Sequence, residues 1–190
     1  MRIIWLCEEL GIPLEIENID FSAEWRARPE WREKSPTGKV PAMADDDLVM
    51  FESGAMVDYI LEKYGNGKLM PTPGTASSAY YRQWCWFAEA TLARPLGDIA
   101  QHSRIRAEAD RIPGVVEDGE ARARAFLTAV EAAVKGCDYL VDNVFSAADI
   151  MMGYSLMLAE RMGVLDNSFP EVQRYFAGLK TRPAFDRALQ

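Results

Sequence analysis

Histidine is all but missing from this 190-residue sequence: His102 is its single copy. With no His, Cys and acidic residues clustered at ligand spacing, a conventional zinc site has nothing to stand on. A serine-hydrolase triad would have to be built on His102, and no nucleophile-elbow motif accompanies it. Cysteine is scarce too. Cys7, Cys85 and Cys137 are odd in number, far apart and without a Cys-x-x-Cys pair, which excludes a disulfide framework and reads as buried or surface thiols in a reducing compartment. Apolar runs long enough to span a bilayer are absent. The opening MRIIWLCEELG is apolar for a few residues only before acids follow, so no secretory leader is read and a cytoplasmic location is expected. Clusters of basic residues are lacking as well. Net charge is −8 and the 21 Lys and Arg are scattered, which argues against nucleic acid or an anionic membrane as partner. A small anionic ligand would need a local site.

What is present fits an ordinary folded chain, 49% hydrophobic and 26% charged. Residues 2–10 place Ile3, Ile4, Leu6, Cys7 and Leu10 around an acidic pair and end at Gly11 and Pro13, a helix with a stop signal. Leu14–Asp20 alternates as a short strand does. Phe21 to Pro36 reads as an irregular helix closing into a loop. Val40–Ala44, a turn at Asp45–Asp47 and Leu48–Phe51 read as a hairpin. Met56, Ile60 and Tyr64 share one face of the helix that follows. Gly65-Asn66-Gly67 and Pro71–Gly74 have linker composition. Beyond them everything reads as helix: Ser77–His102, Glu120–Val134, Ala147–Met162 and shorter pieces from Pro170 to Gln190. The pattern is an α+β unit over residues 1–65 followed by an all-α unit over 75–190.

Three runs carry more detail. In Phe145–Ile150, Ser146 and Asp149 are spaced for a reciprocal capping box, with Phe145 and Ile150 at the staple positions. Past it Ile150, Tyr154, Leu158 and Met162 predict a face buried among neighbouring helices. In Thr37–Pro41 a proline stands just before a strand. A cis bond there would leave the amide and carbonyl of Val40 able to pair with an extended ligand; on these five residues alone, an ordinary trans proline in a surface loop is the preferred reading. In Phe51–Gly54, Glu52 and Ser53 stand at a helix mouth, where free amides and a hydroxyl can hold a carboxylate and Glu52 can accept from an ammonium. The same two residues also suit a plain helix cap.

EELGIPLE, SPTGKVPAM, LVMFESGAMVDYILEKYG, FAEATLARPL and FSAADIMMGYSLMLAERMG, in this order, resemble a bacterial glutathione transferase over nearly the whole chain. The resemblance implies a thioredoxin-like N-terminal domain with a cis-proline, then a helical bundle. It implies that Val40, beside cis-Pro41, bonds through its backbone to the cysteinyl part of glutathione. Glu52 and Ser53 would bind the γ-glutamyl end, and Lys39 would lie near the other end. A small electrophile would meet the thiol in a cleft walled partly by the helix bearing Trp84 and Phe87, although large residues at that spacing also suit a core. Glutathione is then a co-substrate, no metal is needed, and a homodimer is expected.

Members of that family begin with a strand and a loop bearing the Ser, Tyr or Cys that activates glutathione, whereas Met1–Trp5 resembles the body of the first helix. The expectation is therefore a start upstream of Met1, a catalytic residue left unassigned, and poor stability of a chain starting at Met1, since each buried unpaired backbone group costs about 1–3 kcal/mol. Cys7 lies too far into its helix to substitute, and Ser53 has no base beside it. The alternative is a non-catalytic module of the same fold that binds a protein or ligand; a third reading is a relative that isomerises or dehalogenates with the same thiol.

Overall fold

Helix α1 (Arg2–Leu10) opens the computed structural model, which describes residues 1–20 and 22–190. It stops where the sequence says it should. Gly11 takes a left-handed φ of 69° and its N–H bonds to the Cys7 carbonyl, a conformation open to glycine because it has no Cβ. The strand expected over Leu14–Asp20 is not formed. Leu14 and Ile16 are 40% and 52% exposed, and among the described residues no backbone hydrogen bond links the segment to a neighbour. Alternation marks which side chains would share a face, but a strand exists only through the ladder beside it.

Of the irregular helix expected from Phe21 to Pro36, Phe21 lies outside the described residues; the rest divides into α2 (Ala23–Arg26) and α3 (Pro29–Lys34). Ser22 caps α2 by accepting from the Trp25 amide at 3.2 Å, and Pro29 opens α3 with its φ already helical. The hairpin is formed by β1 (Ala42–Asp45) and β2 (Leu48–Phe51), antiparallel, with Ala42 opposite Phe51 and Asp45 opposite Leu48. Helix α4 (Ser53–Tyr64) follows and buries Met56, Val57, Ile60 and Leu61. Its outer end is tied to the hairpin by Asp45, whose carboxylate accepts from Lys63 at 2.8 Å, Tyr64 at 2.6 Å and Tyr59 at 2.8 Å. Those donors, Lys63 first, hold the Asp45 carboxyl down at about 2.

The helical part begins after the linker. Helix α5 (Ala76–Trp86), a π-helical turn (Phe87–Leu92), α6 (Ala93–Ala100) and a second π-helical turn (Gln101–Ile105) run on as one long rod. Pro95 lacks an N–H and its ring crowds the carbonyl one turn back. The wider turn just before it accommodates both. Helix α7 (Pro113–Ala133) starts well before the expected Glu120. Gly114 and Gly119 are within the helix, and Gly119 is there because of its neighbours. A Cβ on it would meet Ile99 Cγ1 at 2.9 Å and the Pro95 carbonyl at 3.2 Å, so glycine permits α6 and α7 to approach.

Helices α8 (Ala147–Arg161), α9 (Pro170–Lys180) and α10 (Pro183–Arg187) complete the chain. The expected one-sided face of α8 is corrected. Ile150 is buried as expected, but Tyr154, Leu158 and, just past the helix, Met162 are half-buried, while Met151, Met152, Ser155 and Leu156 are buried on the other sides. A helix wrapped on most sides by others shows no single apolar stripe. One core joins the two parts: Trp5 and Leu6 of α1 are fully buried together with residues of α4, α8 and α10. Trp5 packs edge-on against Phe185 at 4.9 Å. A Cβ at Gly153 would lie 2.8 Å from the Trp5 ring, so that glycine sets how closely α1 and α8 cross.

The capping box predicted at the head of α8 is present, and its acid does more than cap. Asp149, with no exposed surface, accepts from the Ser146 amide at 2.8 Å, the Leu140 amide at 2.9 Å, the Tyr175 hydroxyl at 2.8 Å and the Ser146 hydroxyl at 3.2 Å. Burial raises its carboxyl above the ordinary range, and these donors oppose that rise. Replacing Asp149 by Ala strands several buried donors at once, each worth about 1–3 kcal/mol. Asp149→Ala should therefore lose on the order of 4 kcal/mol of stability, with Asp149→Asn losing less; urea unfolding of the two variants checks both the size and the order.

Candidate functional site

Five residues singled out by sequence, Lys39, Val40, Pro41, Glu52 and Ser53, all line one cavity of about 340 Å³. The Val40-Pro41 peptide is cis, as the family resemblance implied and against the trans reading that the local residues alone favoured. Val40 is 45% exposed, and its amide has no protein acceptor among the described residues. Glu52 has φ 76° and ψ 103°. For a residue with a Cβ this is a sparsely populated conformation costing about 1–3 kcal/mol, of the kind found at binding and active sites. It turns the chain sharply from β2 into α4. The Glu52 carbonyl takes the first helical bond, from Met56 at 3.0 Å, and the amides of Ser53, Gly54 and Ala55 are left without intrahelical acceptors. Ser53 begins the twelve-residue α4, so its hydroxyl and those amides lie together at the positive end of a helix dipole.

The remaining wall comes from Met1, Arg2, Ser35, Thr37 and Phe51 of the first part and from Glu89 and Tyr154 of the helical part. Arg2 joins the two. Its guanidinium donates to the Ser53 hydroxyl at 3.1 Å and the Ser155 hydroxyl at 3.2 Å, forms an ion pair with Glu89, and lies 4.6 Å from the centre of the Tyr154 ring. Arg2 is 6% exposed and its Nε has no acceptor. A cation taken this far out of water needs its charge and donors answered, which Glu89, the two hydroxyls and the ring largely do. Ser155 in turn donates to the Ala88 carbonyl at 2.9 Å. The π-helical turn thus brings Ala88 to α8 and Glu89 to Arg2.

Arg2 and Glu89 were not singled out by sequence, and Tyr154 was read only as part of a buried helix face. A signal for Arg2 does exist: it lies one helical turn before Leu6, on the face that the core covers, where an unpaired charge is costly. Nothing comparable marks Glu89 or Tyr154. Trp84 and Phe87, expected as cleft walls, do not line this cavity. They pack edge-on with centroids 5.2 Å apart, and Phe87 meets Phe126 at 6.2 Å. That makes them part of the packing between the long rod and α7.

A family model described as "Glutathione S-transferase, N-terminal domain" matches residues 1–68, and another described as "Glutathione S-transferase, C-terminal domain" matches residues 110–183. Together they cover well over half of the chain. Among curated proteins, "Glutathione S-transferase 3" of Schizosaccharomyces pombe is 26% identical over 193 aligned positions, covering 96% of this chain and 79% of the relative. Among solved structures, the glutathione transferase URE2P8 of Phanerochaete chrysosporium, determined with oxidized glutathione, superposes with a TM-score of 0.86 at 26% identity, covering 98% of this chain and 86% of that one. A glutathione transferase family member from Pseudomonas fluorescens pf-5, with two glutathione molecules bound, gives 0.87 at 25% identity, covering 99% and 86%.

The thiols do not contribute to the site. Cys7, Cys85 and Cys137 are all unpaired and none lines the cavity. Burial pushes the Cys7 thiol up to about 11, with Glu8 adding to the rise, and burial pushes Cys85 up to about 12. Both stay protonated until well above neutral pH, and the thiolate is the reactive form. A thiol-specific alkylating reagent at neutral pH should leave Cys7 and Cys85 unmodified in the folded protein and react with both in denaturant. Peptide mass spectrometry reads the outcome, and modification of either in the native state would contradict it.

Proposed function

The chain belongs to the glutathione S-transferase family, and from that premise we propose that it binds glutathione in the cavity beside Val40 and directs the thiolate at a small electrophile. The observation that carries this reading is the convergence of Lys39, Val40, cis-Pro41, Glu52 and Ser53 on one cavity where two parts of the fold meet. In this proposal residues 1–65 hold the tripeptide and residues 75–190 close over it. The two halves of the proposed pocket have distinct chemistry. The Ser53 hydroxyl accepts from Arg2, which leaves its own proton to donate to a carboxylate. The free amides at the start of α4 add to that anion site, and Glu52 is placed to accept from the neighbouring ammonium. Val40 offers an amide and a carbonyl to the peptide-like middle of the ligand, as a strand edge does. Lys39 supplies a cation for the carboxylate at the far end.

Held at both ends, the ligand has little freedom in where its sulfur lies, and orientation of this kind removes much of the entropic part of the barrier. The thiol must lose its proton, the sulfur then forms a bond to the electrophilic atom, and the leaving group departs with the electron pair of the bond that breaks. A cytoplasmic location supplies both the reducing conditions for three unpaired thiols and the glutathione. Among the described residues no helix is long and apolar enough to cross a membrane. A homodimer is part of the proposal on family grounds.

Glutathione should raise the thermal midpoint. At a hundred times its Kd the gain is about 2.7 kcal/mol, and no shift at millimolar glutathione would overturn the reading. A shift without turnover of any electrophile would favour the non-catalytic module instead. Ser53→Ala removes a donor to a charged group, so its Kd for glutathione by calorimetry should rise roughly ten- to a hundredfold.

A further inference from the structure

Ser35 lines the same cavity but has no ligand-facing role in the proposal above, and its surroundings indicate what it does there. It is completely buried. Its hydroxyl donates to the Lys39 carbonyl at 2.8 Å. Its own carbonyl accepts from the Gly38 amide and its amide donates to the Trp31 carbonyl, both at 2.8 Å. Arg32 braces the same loop from outside by donating to the Pro36 carbonyl at 2.7 Å. Gly38 is at φ +65°, and a Cβ on it would meet the Arg32 guanidinium carbon at 2.8 Å. The segment from Ser35 to Lys39 is therefore a closed knob, fastened at both ends by one serine.

Closing that knob sets the direction of the next peptide group. The Lys39–Val40 peptide is trans and planar, so its carbonyl and its N–H point in opposite directions. Because Ser35 holds the Lys39 carbonyl on the inner side, the Val40 N–H is turned outward. Val40 is 45% exposed and lines the cavity, and no protein group takes its amide proton among the described residues. Without the hydroxyl the peptide plane is free to rotate, and the donor loses its direction.

We infer that Ser35 is a positioning residue: its buried hydroxyl fixes the Lys39–Val40 peptide plane so that the Val40 amide is presented to the bound ligand. This rests on the glutathione-binding reading of the cavity and adds a residue to it that makes no contact with the ligand.

The test compares the wild type with Ser35→Ala and Ser35→Cys, the second keeping the shape with a much weaker donor. Glutathione affinity is measured by calorimetry, and the Val40 and Ser53 amide signals are followed by nitrogen–proton correlation NMR during glutathione titration. Loss of one directed hydrogen bond should weaken binding about three- to tenfold in Ser35→Ala, with Ser35→Cys between it and the wild type. The glutathione-induced shift of the Val40 amide should shrink in the same order while that of Ser53 persists, a split that general loosening of the fold would not produce. Should Ser35→Ala fail to fold, Ser35→Cys alone still decides the point. Equal affinity and an equal Val40 shift in variants and wild type would overturn the role of Ser35. No glutathione binding by the wild type would instead remove the functional reading, and the inference with it.

Discussion

A single buried carboxylate organises the helical part, and the site depends on it at a distance. Asp149 accepts from donors on three segments: its own helix start, the loop before it at Leu140, and α9 through Tyr175. That fixes where α8 begins and how it is rotated. The rotation places Tyr154 under the cavity and Ser155 between Arg2 and the Ala88 carbonyl. Arg2 in turn holds Ser53. A cap in one half of the chain thus reaches the proposed carboxylate site in the other through the backbone of α8 and then through Ser155, Arg2 and Ser53, which are joined in turn by hydrogen bonds.

Burying so much polarity has a cost that the apolar core must cover. Arg2 and Asp149 are both charged groups withdrawn from water, and pairs of this kind are often no more stabilising than well-packed apolar residues. What they contribute is direction. The core around Trp5, Leu6, Met56, Ile150 and Leu156 supplies non-directional attraction, and it would tolerate small rotations of α8 against α1. Hydrogen bonds donated by a guanidinium and accepted by a carboxylate tolerate far less. Gly153 and Gly119 act in the same sense, allowing helices to approach until contacts become specific.

Much of the local structure could be read from the sequence because its causes are local. The box at Ser146 and Asp149, the glycine stop after α1 and the hairpin turn near Asp46 each need only residues a few positions apart. The cavity residues Val40, Glu52 and Ser53 stand at junctions of proline, strand and helix start that can expose backbone groups. The local residues also suited a trans proline and a plain cap, and the family resemblance was needed to choose between the readings. Pro113, at the first turn of α7, is a local cue for its early start that the sequence reading does not use. Gly119 is glycine because of Ile99 and Pro95 on another helix, which no local pattern displays.

The sequence by itself determined the glycine stop of α1, the hairpin of β1 and β2, the start of α4 after Glu52 and the capping box at the head of α8. Tertiary structure alone decided that Leu14–Asp20 forms no strand, that Trp84 packs on Phe87 and Phe87 on Phe126 of α7, and that Arg2 reaches Ser53, Glu89 and Ser155 together. The cis Val40-Pro41 bond was implied by the family resemblance and not by the local residues. The physical reason is the range of the forces involved. Caps and turns are settled by dihedral preferences and hydrogen bonds within a few residues, whereas strand pairing, helix rotation and the partners of a buried charge are settled by groups far away in the chain.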